Sequence, residues 1–217
     1  MTVEGLSPEG RVEALSILYS LTKSQEDKCR VVSLGMVAPV TGLLTDMSPG
    51  VRAQAANVLA SIAVVISGRE SLAACGSIPS IQERLTDSNT KVREAASLAL
   101  MELSTFADGV EAIVAAETTV QSMVDNLVDE GCTSTAGQAA SDLVMYHLVA
   151  ALASVAKHEQ GVEQCITAGA VPKLVELLKR CPPTDRAVVP GRLVRTLSAL
   201  WMVRATLGCQ DARSYAV

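Results

Sequence analysis

The chain has 217 residues, and 49% of them are hydrophobic although aromatic residues make up only 2%. The core must therefore be built from Ala, Leu, Val and Ile, and because Ala and Leu are strong helix formers this composition favours closely packed helices. A net charge of −5 and the lack of any Lys/Arg run argue against a nucleic-acid-binding protein, which usually needs a concentrated basic face.

The N-terminal residues predict a helix and no targeting segment. Ser7 can cap a helix that begins at Pro8 and continues to about Thr22, because serine suits the cap and proline the first helical position. The opening MTVEGLSPEGR lacks a basic region followed by an apolar one, so we expect no signal peptide. The longest mostly apolar run, 143–156, is too short to span a bilayer. We therefore expect an intracellular protein without a membrane partner.

Cysteine usage indicates a reducing compartment. None of the six cysteines forms a Cys-x-x-Cys pair or falls at a fixed repeat position, which is typical of small buried or half-buried thiols. Only His147 and His158 could assist them in binding a metal, so we expect no metal site.

A helical pattern at 51–63, VRAQAANVLASIA, is repeated along the chain. Ala55, Val58, Leu59 and Ile62 fall at i, i+3, i+4 and i+7 and form one face of a helix. Similar stretches lie 41 residues earlier at 11–22 and 41 residues later at 92–104, and a fourth at 145–156 follows after 52 residues. A period near 40 residues in helical segments indicates a helical solenoid.

Each unit is predicted to contain two short helices and a longer third helix. In the first full unit these are expected at 28–34, 39–44 and 51–65, with Gly35 as a left-handed C-cap. The third unit holds 11 extra residues, which are expected to form a loop. The predicted organisation is a single domain at 1–217, with a partial unit at 8–22, units at 27–66, 68–106, 109–158 and 161–205, an inserted loop at 129–141 and a tail at 206–217.

The segment GAVPKLVELL at 169–178 is the most specific sign of a resemblance to the armadillo-repeat family, and the resemblance extends over about 11–205. It implies an all-α, right-handed armadillo-repeat solenoid of about four units plus a partial N-terminal unit, with the third helices lining a concave groove. In nuclear-import receptors that groove carries ladders of Asn and Trp. The matching Asn positions here are Ser20, Ser61, Glu102, Ser154 and Met202, and the matching Trp positions are Ser16, Asn57, Leu98, Ala150 and Ser198. Because Ser and Met cannot reproduce the paired amide hydrogen bonds of Asn, binding of a classical import signal is not expected.

Further features are similar to the armadillo-type radial spoke proteins of motile cilia: Asp87 before Val92-Arg93-Glu94, Gly68-Arg69, and Gly109 before Ile113-Val114. This resemblance implies a scaffold bound to other protein subunits of a large assembly, the radial spoke of the axoneme in a cilium or flagellum. The alternative is a soluble cytoplasmic adaptor that binds cargo peptides in its concave groove.

Catalytic signatures are absent from the sequence. It contains no Walker loop, G-x-G-x-x-G, H-E-x-x-H or G-x-S-x-G motif, and no calcium loop. Together with a solenoid fold this favours a protein that is not an enzyme and uses no cofactor or small-molecule substrate.

One row of arginines has two interpretations. Arg11, Arg52 and Arg93 share the first turn of the long helix. They either pack between repeats by pairing with an acidic residue of the preceding turn, such as Asp46 or Asp87, or form a basic ladder for an acidic partner.

The other candidate partner contacts lie on the long helices. Asn57, Leu98 and Glu102 occupy the predicted groove, and His147 lies on a partly polar face where we expect a hydrogen-bonded or solvent-facing histidine. Trp201, the one tryptophan, either covers the end of the core or anchors a docked partner, since tryptophan is enriched at interface hot spots.

Overall fold

The computed structural model describes residues 6–127 and 135–180, with side chains at 6–127 and 143–177. Within these ranges the chain is helical and contains no strand. The helices are α1 (Pro8–Leu21), α2 (Gln25–Ser33), α3 (Val37–Gly42), α4 (Pro49–Ile62), α5 (Ile66–Ala74), α6 (Ser77–Glu83), α7 (Thr90–Ser104), α8 (Ala107–Ala115), α9 (Thr119–Asp125), α10 (Thr135–Val155), α11 (Glu159–Thr167) and α12 (Ala170–Arg180).

Like helices of successive repeats lie against one another. The long helices pack in the order α1, α4, α7, α10, and the first short helices in the order α2, α5, α8, α11. The second short helices α3, α6 and α9 form a further row. The predicted all-helical solenoid is therefore confirmed, while the division into units at the stated boundaries stays a prediction.

Helix boundaries differ from the predicted ones by a few residues. The first short helix begins at Gln25 rather than at 28, and the second spans Val37–Gly42 and continues into a 3-10 turn at Leu43–Thr45. The long helix of the same unit is Pro49–Ile62 instead of 51–65. Its earlier start has a local reason, because proline in the first helical turn lacks only an N–H that has no helical partner there.

The predicted inserted loop at 129–141 is wrong in its second half. Helix α10 is Thr135–Val155, 21 residues long, so the insertion lengthens the long helix at its N-terminal end. The segment was interpreted as small and polar, yet it contains Ala136, Gln138, Ala139 and Ala140, which are good helix formers. The predicted last helix at 193–205 and the tail at 206–217 lie outside the described residues.

The core is one continuous cluster of aliphatic side chains from Leu15 to Leu177. On α4 the predicted face is buried, and so are Ala56 and Ala60 on other sides of the helix. A long helix inside the array is thus covered by its own short helices and by the long helices on both sides. Such a helix buries more than the single stripe that the sequence pattern predicted.

Three glycines allow the first short helices to approach the preceding repeat. Gly68, Gly109 and Gly161 stand at equivalent positions of α5, α8 and α11. A Cβ atom there would lie 1.9–2.3 Å from a carbonyl oxygen in the last turn of the preceding long helix. No side chain fits such a distance, so these glycines set how closely consecutive repeats pack.

We expect Gly68→Ala to lower the free energy of unfolding by about 3 kcal/mol, because its Cβ would displace backbone rather than a flexible side chain. Equilibrium unfolding in urea measures the change. Gly42→Ala is the matched control: Gly42 is also helical, but a Cβ there meets no atom within 4 Å. Equal stabilities of the two variants would contradict the close-approach argument.

Candidate protein-interaction surfaces

Arg11 and Arg52 connect consecutive repeats at the N-terminal ends of the long helices. The Nε and Nη2 atoms of Arg52 each donate to the carboxylate of Asp87 at 2.8 Å, and Nη1 donates to the carbonyl oxygens of Asp46 and Met47 at 2.8 and 3.0 Å. Arg11 pairs with the carboxylate of Asp46. The pairing interpretation expected the carboxylate in the preceding turn, but it comes from the following unit, and the preceding turn supplies only carbonyl oxygens.

Asp87 is built into this contact. Burial disfavours its charged form, but hydrogen bonds from Arg52 and from the Asn89 N–H, with the Arg52 charge, keep the pKa of Asp87 below its ordinary value. The third arginine of the row, Arg93, donates from Nη1 to the carbonyl oxygens of Asp87 and Ser88 at 2.9 and 3.4 Å. Arg11 and Arg52 thus have partners within the chain, and a role in gripping an acidic partner stays a prediction.

We expect Arg52→Gln to lower the free energy of unfolding by about 2 kcal/mol, because it leaves the Asp87 carboxylate desolvated without its bidentate partner. A double-mutant cycle with Asp87→Asn, measured by urea unfolding, should give a coupling of about 1 kcal/mol. Lys91→Gln is the control, because Lys91 is highly exposed and pairs only at the surface, with Glu94. A coupling near zero would remove the structural role assigned to this arginine.

A buried arginine that the sequence analysis did not name as a contact residue makes a second connection between repeats. Arg69 on α5 is 5% exposed, and its Nε donates to the carboxylate of Asp108 at 2.7 Å. Its Nη1 donates to the carbonyl oxygens of Ala63 and Val64 just beyond α4, and its guanidinium lies 4.0 Å from the ring centre of Phe106. The arginine is not repeated at 41-residue spacing, so periodicity carries no signal for it.

The three residues of the predicted groove lie on neighbouring long helices. Asn57 on α4 is half-buried, and its Nδ2 donates to Gln54 Oε1 at 3.0 Å. Leu98 and Glu102 are one turn apart on α7 and are also half-buried. Burial raises the pKa of Glu102, and the charge of Lys28 opposes the shift. The structure therefore brings these three side chains to adjacent helices, but Asn57 already uses its amide within the chain.

His147 is buried between long helices. It is 7% exposed on α10, and its Nδ1 lies 3.0 Å from Ser97 Oγ on α7. Burial lowers the pKa of His147 below its ordinary value of 6.5, while the charge and backbone of Glu94 oppose the shift. A neutral histidine in this place is a core residue of the α7–α10 contact, and its predicted partner-binding role has no exposed surface to support it.

The protein should lose stability through His147 as the pH falls below about 6.5. The pKa of His147 is lower in the folded state than in the unfolded state, so its contribution to stability is complete above the pKa of the unfolded state. Below that pKa, protons bind the unfolded chain preferentially, and the free energy of unfolding falls by up to about 1.4 kcal/mol per pH unit. Urea unfolding between pH 7.5 and 5.5 should show a shallower decline for His147→Gln than for the native chain. Identical slopes for the His147 variant and the native chain would refute the assignment.

The remaining predicted features are settled only in part. Trp201 lies outside the described residues. Cys165 is a buried free thiol, and burial raises its pKa to about 12, whereas the free thiols Cys29 and Cys75 are exposed, contrary to the expectation from the sequence. Among the described residues no group of three or more His, Cys, Asp or Glu could hold a metal ion. In the same part of the chain, no helix has the length and apolar character that crossing a membrane requires.

An apolar groove, which the sequence analysis missed, lies between α1 and α3. It has a volume of about 220 Å³ and is lined only by apolar residues. Ile17 and Leu21 line it and are 54% and 57% exposed. We call this surface the terminal groove; its lining residues are Ala14, Leu15, Ile17, Leu18, Leu21, Met36, Pro39, Val40 and Leu43.

A comparison with known protein families gives a match for this chain. Residues 29–168, well over half of the sequence, match the family model Cnd1, described as non-SMC mitotic condensation complex subunit 1. The chain belongs to the Cnd1 family. A search of curated proteins gives no significant match. The Cnd1 match begins within α2 and ends just after α11, and thus covers most of the stacked repeats.

Solved structures identify the fold of this Cnd1-family chain as an armadillo-repeat solenoid. A designed armadillo repeat protein in complex with the peptide (KR)4 has a TM-score of 0.76 and 21% identity, covering 91% of this chain and 78% of the other. A second designed armadillo repeat protein has a TM-score of 0.75 and 20% identity, with 94% and 80% covered. An engineered protein matches with a TM-score of 0.78 and 23% identity, over 91% and 77%. None of these matches is a radial spoke protein, so that resemblance stays a prediction.

Proposed function

We propose that the chain is a non-catalytic scaffold that works by binding other proteins, as a subunit of a larger assembly. The observation that carries this proposal is the terminal groove, because a contiguous exposed apolar surface is typical of a protein-interaction site. The fold supports it, since repeat solenoids present extended surfaces on which partners dock.

The connections between repeats support a scaffold in particular. Arg52 joins the first and second full units, and Arg69 joins the second and third. Together with the glycine contacts at the C-terminal ends of the long helices, these two arginines hold neighbouring repeats in a defined relative orientation. A rigid array can hold partners at defined distances, which is the physical task of a scaffold subunit.

Two assemblies are candidates for this role. The resemblance of the Asp87 turn and the Gly68-Arg69 segment to radial spoke proteins favours the radial spoke of a motile cilium or flagellum, and this is our leading proposal. The family match favours a second candidate, a mitotic condensation complex, because that is the assembly which the Cnd1 description names. Both candidates make the chain a structural subunit of a complex with other proteins.

The alternative is a soluble adaptor that binds cargo peptides through Asn57, Leu98 and Glu102. It is supported by the shared fold with a designed protein in complex with a peptide and by the position of the three side chains on adjacent helices. The internal hydrogen bond of Asn57 weighs against it, since peptide binding would have to break or share that bond.

Fractionation of cells that express the tagged chain tests the proposal. Cytosol, salt-washed axonemes and mitotic chromosomes from ciliated, dividing cultures are prepared separately, and each extract is sedimented through a gradient before affinity purification and mass spectrometry. We expect the chain in the axonemal extract, in a complex much larger than its own 22.7 kDa, with spoke subunits as neighbours.

The other outcomes separate the candidates. Recovery with condensation-complex subunits from chromosomes would refute the radial spoke and retain the scaffold. Recovery in a small cytosolic complex with variable clients would favour the adaptor. Sedimentation as a 22.7 kDa monomer in every extract would refute the scaffold itself.

A further inference from the structure

The inner repeats of the solenoid show which structural element covers the surface equivalent to the terminal groove. One repeat further along, the positions of Ile17 and Leu21 are occupied by Val58 and Ile62 on α4. These two side chains are 0% and 1% exposed, whereas Ile17 and Leu21 are more than half exposed. Aliphatic residues at equivalent positions of equivalent helices therefore differ in whether a neighbouring element covers them.

The helix over the equivalent surface is α3. It packs against α4 and α6, and its Thr41 Oγ1 lies 2.7 Å from Ser77 Oγ on α6. Ser77 is the counterpart of Met36, which lines the terminal groove, so α3 occupies the place that corresponds to the groove one repeat later. Among the described residues no helix covers α1 in this way.

A second internal example confirms the arrangement. Helix α6 packs against α7 and α9, and its Gln82 Oε1 accepts from Thr119 Oγ1 at 2.8 Å. Ala99 and Leu103 on α7, again at the positions of Ile17 and Leu21, are fully buried. The same surface is thus covered twice within the chain, each time by a short second helix.

The covering helices share one chemistry. Each is a helix of six or seven residues with one buried aliphatic face, and each runs into a 3-10 turn. Each presents a β-branched residue at i and i+3 and a leucine at i+7, and these side chains are 0–3% exposed. The residues are Val37, Val40 and Leu44 on α3 and its turn, and Ile78, Ile81 and Leu85 on α6 and its turn.

Among the residues whose side chains are described, a second folded copy of the chain has no such helix to offer. The second helices α3, α6, α9 and α12 all direct aliphatic residues into their own core, within the part of the chain whose side chains are described. Freeing one of them would require unfolding a repeat. A helix from another protein is therefore the occupant that the observations favour.

We propose that the terminal groove binds an amphipathic helix of a partner protein, with aliphatic residues at i, i+3 and i+7, in the arrangement that α3 has on α4 and α6. This inference rests on the proposed scaffold function and names the partner chemistry at its apolar surface. The interface is continuous with the row of second helices inside the solenoid, so the partner helix would extend that row by one member.

A helix-stabilised peptide of residues 36–47 tests the proposal, because it carries Val37, Val40 and Leu44. Helices this short do not form alone in water, so the peptide is stapled on the face opposite Val37, Val40 and Leu44, and its helicity is first established by circular dichroism. Fluorescence anisotropy with the full chain then measures binding. We expect saturable binding that Ile17→Glu or Leu21→Glu weakens at least about tenfold, since each removes a large apolar contact and places a charge in the groove.

Matched controls define the site. Met47→Glu introduces the same charge at a side chain that is 97% exposed and does not line the groove, and it should leave binding unchanged. A stapled peptide with Val40→Glu should not bind. Because Ile17 and Leu21 are exposed, their variants should keep the native melting temperature, which calorimetry checks.

Three results would overturn the proposal. They are no saturable binding of the helical peptide up to about 1 mM, binding that Ile17→Glu and Leu21→Glu leave unchanged, or self-association of the chain in sedimentation velocity that Ile17→Glu abolishes. The last would make a second copy the occupant. If the peptide fails while the chain still sediments in a large cellular complex, the scaffold stands and only the groove assignment fails.

Discussion

The whole structure depends on the fact that no repeat can complete its own core. Because aromatic residues are so few, the core contains many small side chains such as Ala56 and Ala60. Each long helix must therefore be covered on several sides before its apolar surface is buried. Ala14 and Ala55 show the consequence. They hold the same repeat position, yet Ala14 is exposed and Ala55 is fully buried, because only the second lies between neighbouring repeats.

Polar contacts then fix how the repeats meet. Aliphatic packing is non-directional, whereas the guanidinium of Arg52 has a fixed geometry. It donates to the Asp87 carboxylate in one turn and to the carbonyl oxygens of Asp46 and Met47 in another. Arg69 places its charge on carbonyl oxygens at the C-terminal end of α4, and its partner Asp108 stands in the first turn of α8, so both charges oppose the helix dipoles favourably. A Cβ at Gly109 would lie 3.2 Å from Cδ of Arg69, so this glycine leaves room for the Arg69 side chain. Burial makes these groups costly to unpair, so they specify geometry more than they add stability.

The sequence predicted what depends on local pattern. The period, the buried face of α4 and the Ser7 cap with Pro8 at the helix start follow from side-chain spacing and helix-end chemistry, and the structure confirms them. It did not predict features that depend on distant neighbours. The carboxylate partner of Arg52 lies 35 residues away in the next unit. The terminal groove depends on which elements pack against α1, and the sequence of α1 itself does not indicate this. The helix at 135–141 was missed because alanine-rich segments with small polar residues fit both a loop and a helix.

Ile17 is exposed because no described element covers it, and this limits the kind of partner that could bind there. A helix of six residues and a turn cannot hold its shape alone in water, and ordering it on binding would consume much of what the groove contributes. Inside the solenoid α3 keeps its helical shape because it is covalently part of a folded repeat, and it packs against α4 and α6. A natural partner would have to present its helix from a folded domain for the same reason. Recognition at α1 would then use the same packing that folds the interior of the solenoid, with the partner supplying the neighbour that the described residues do not provide.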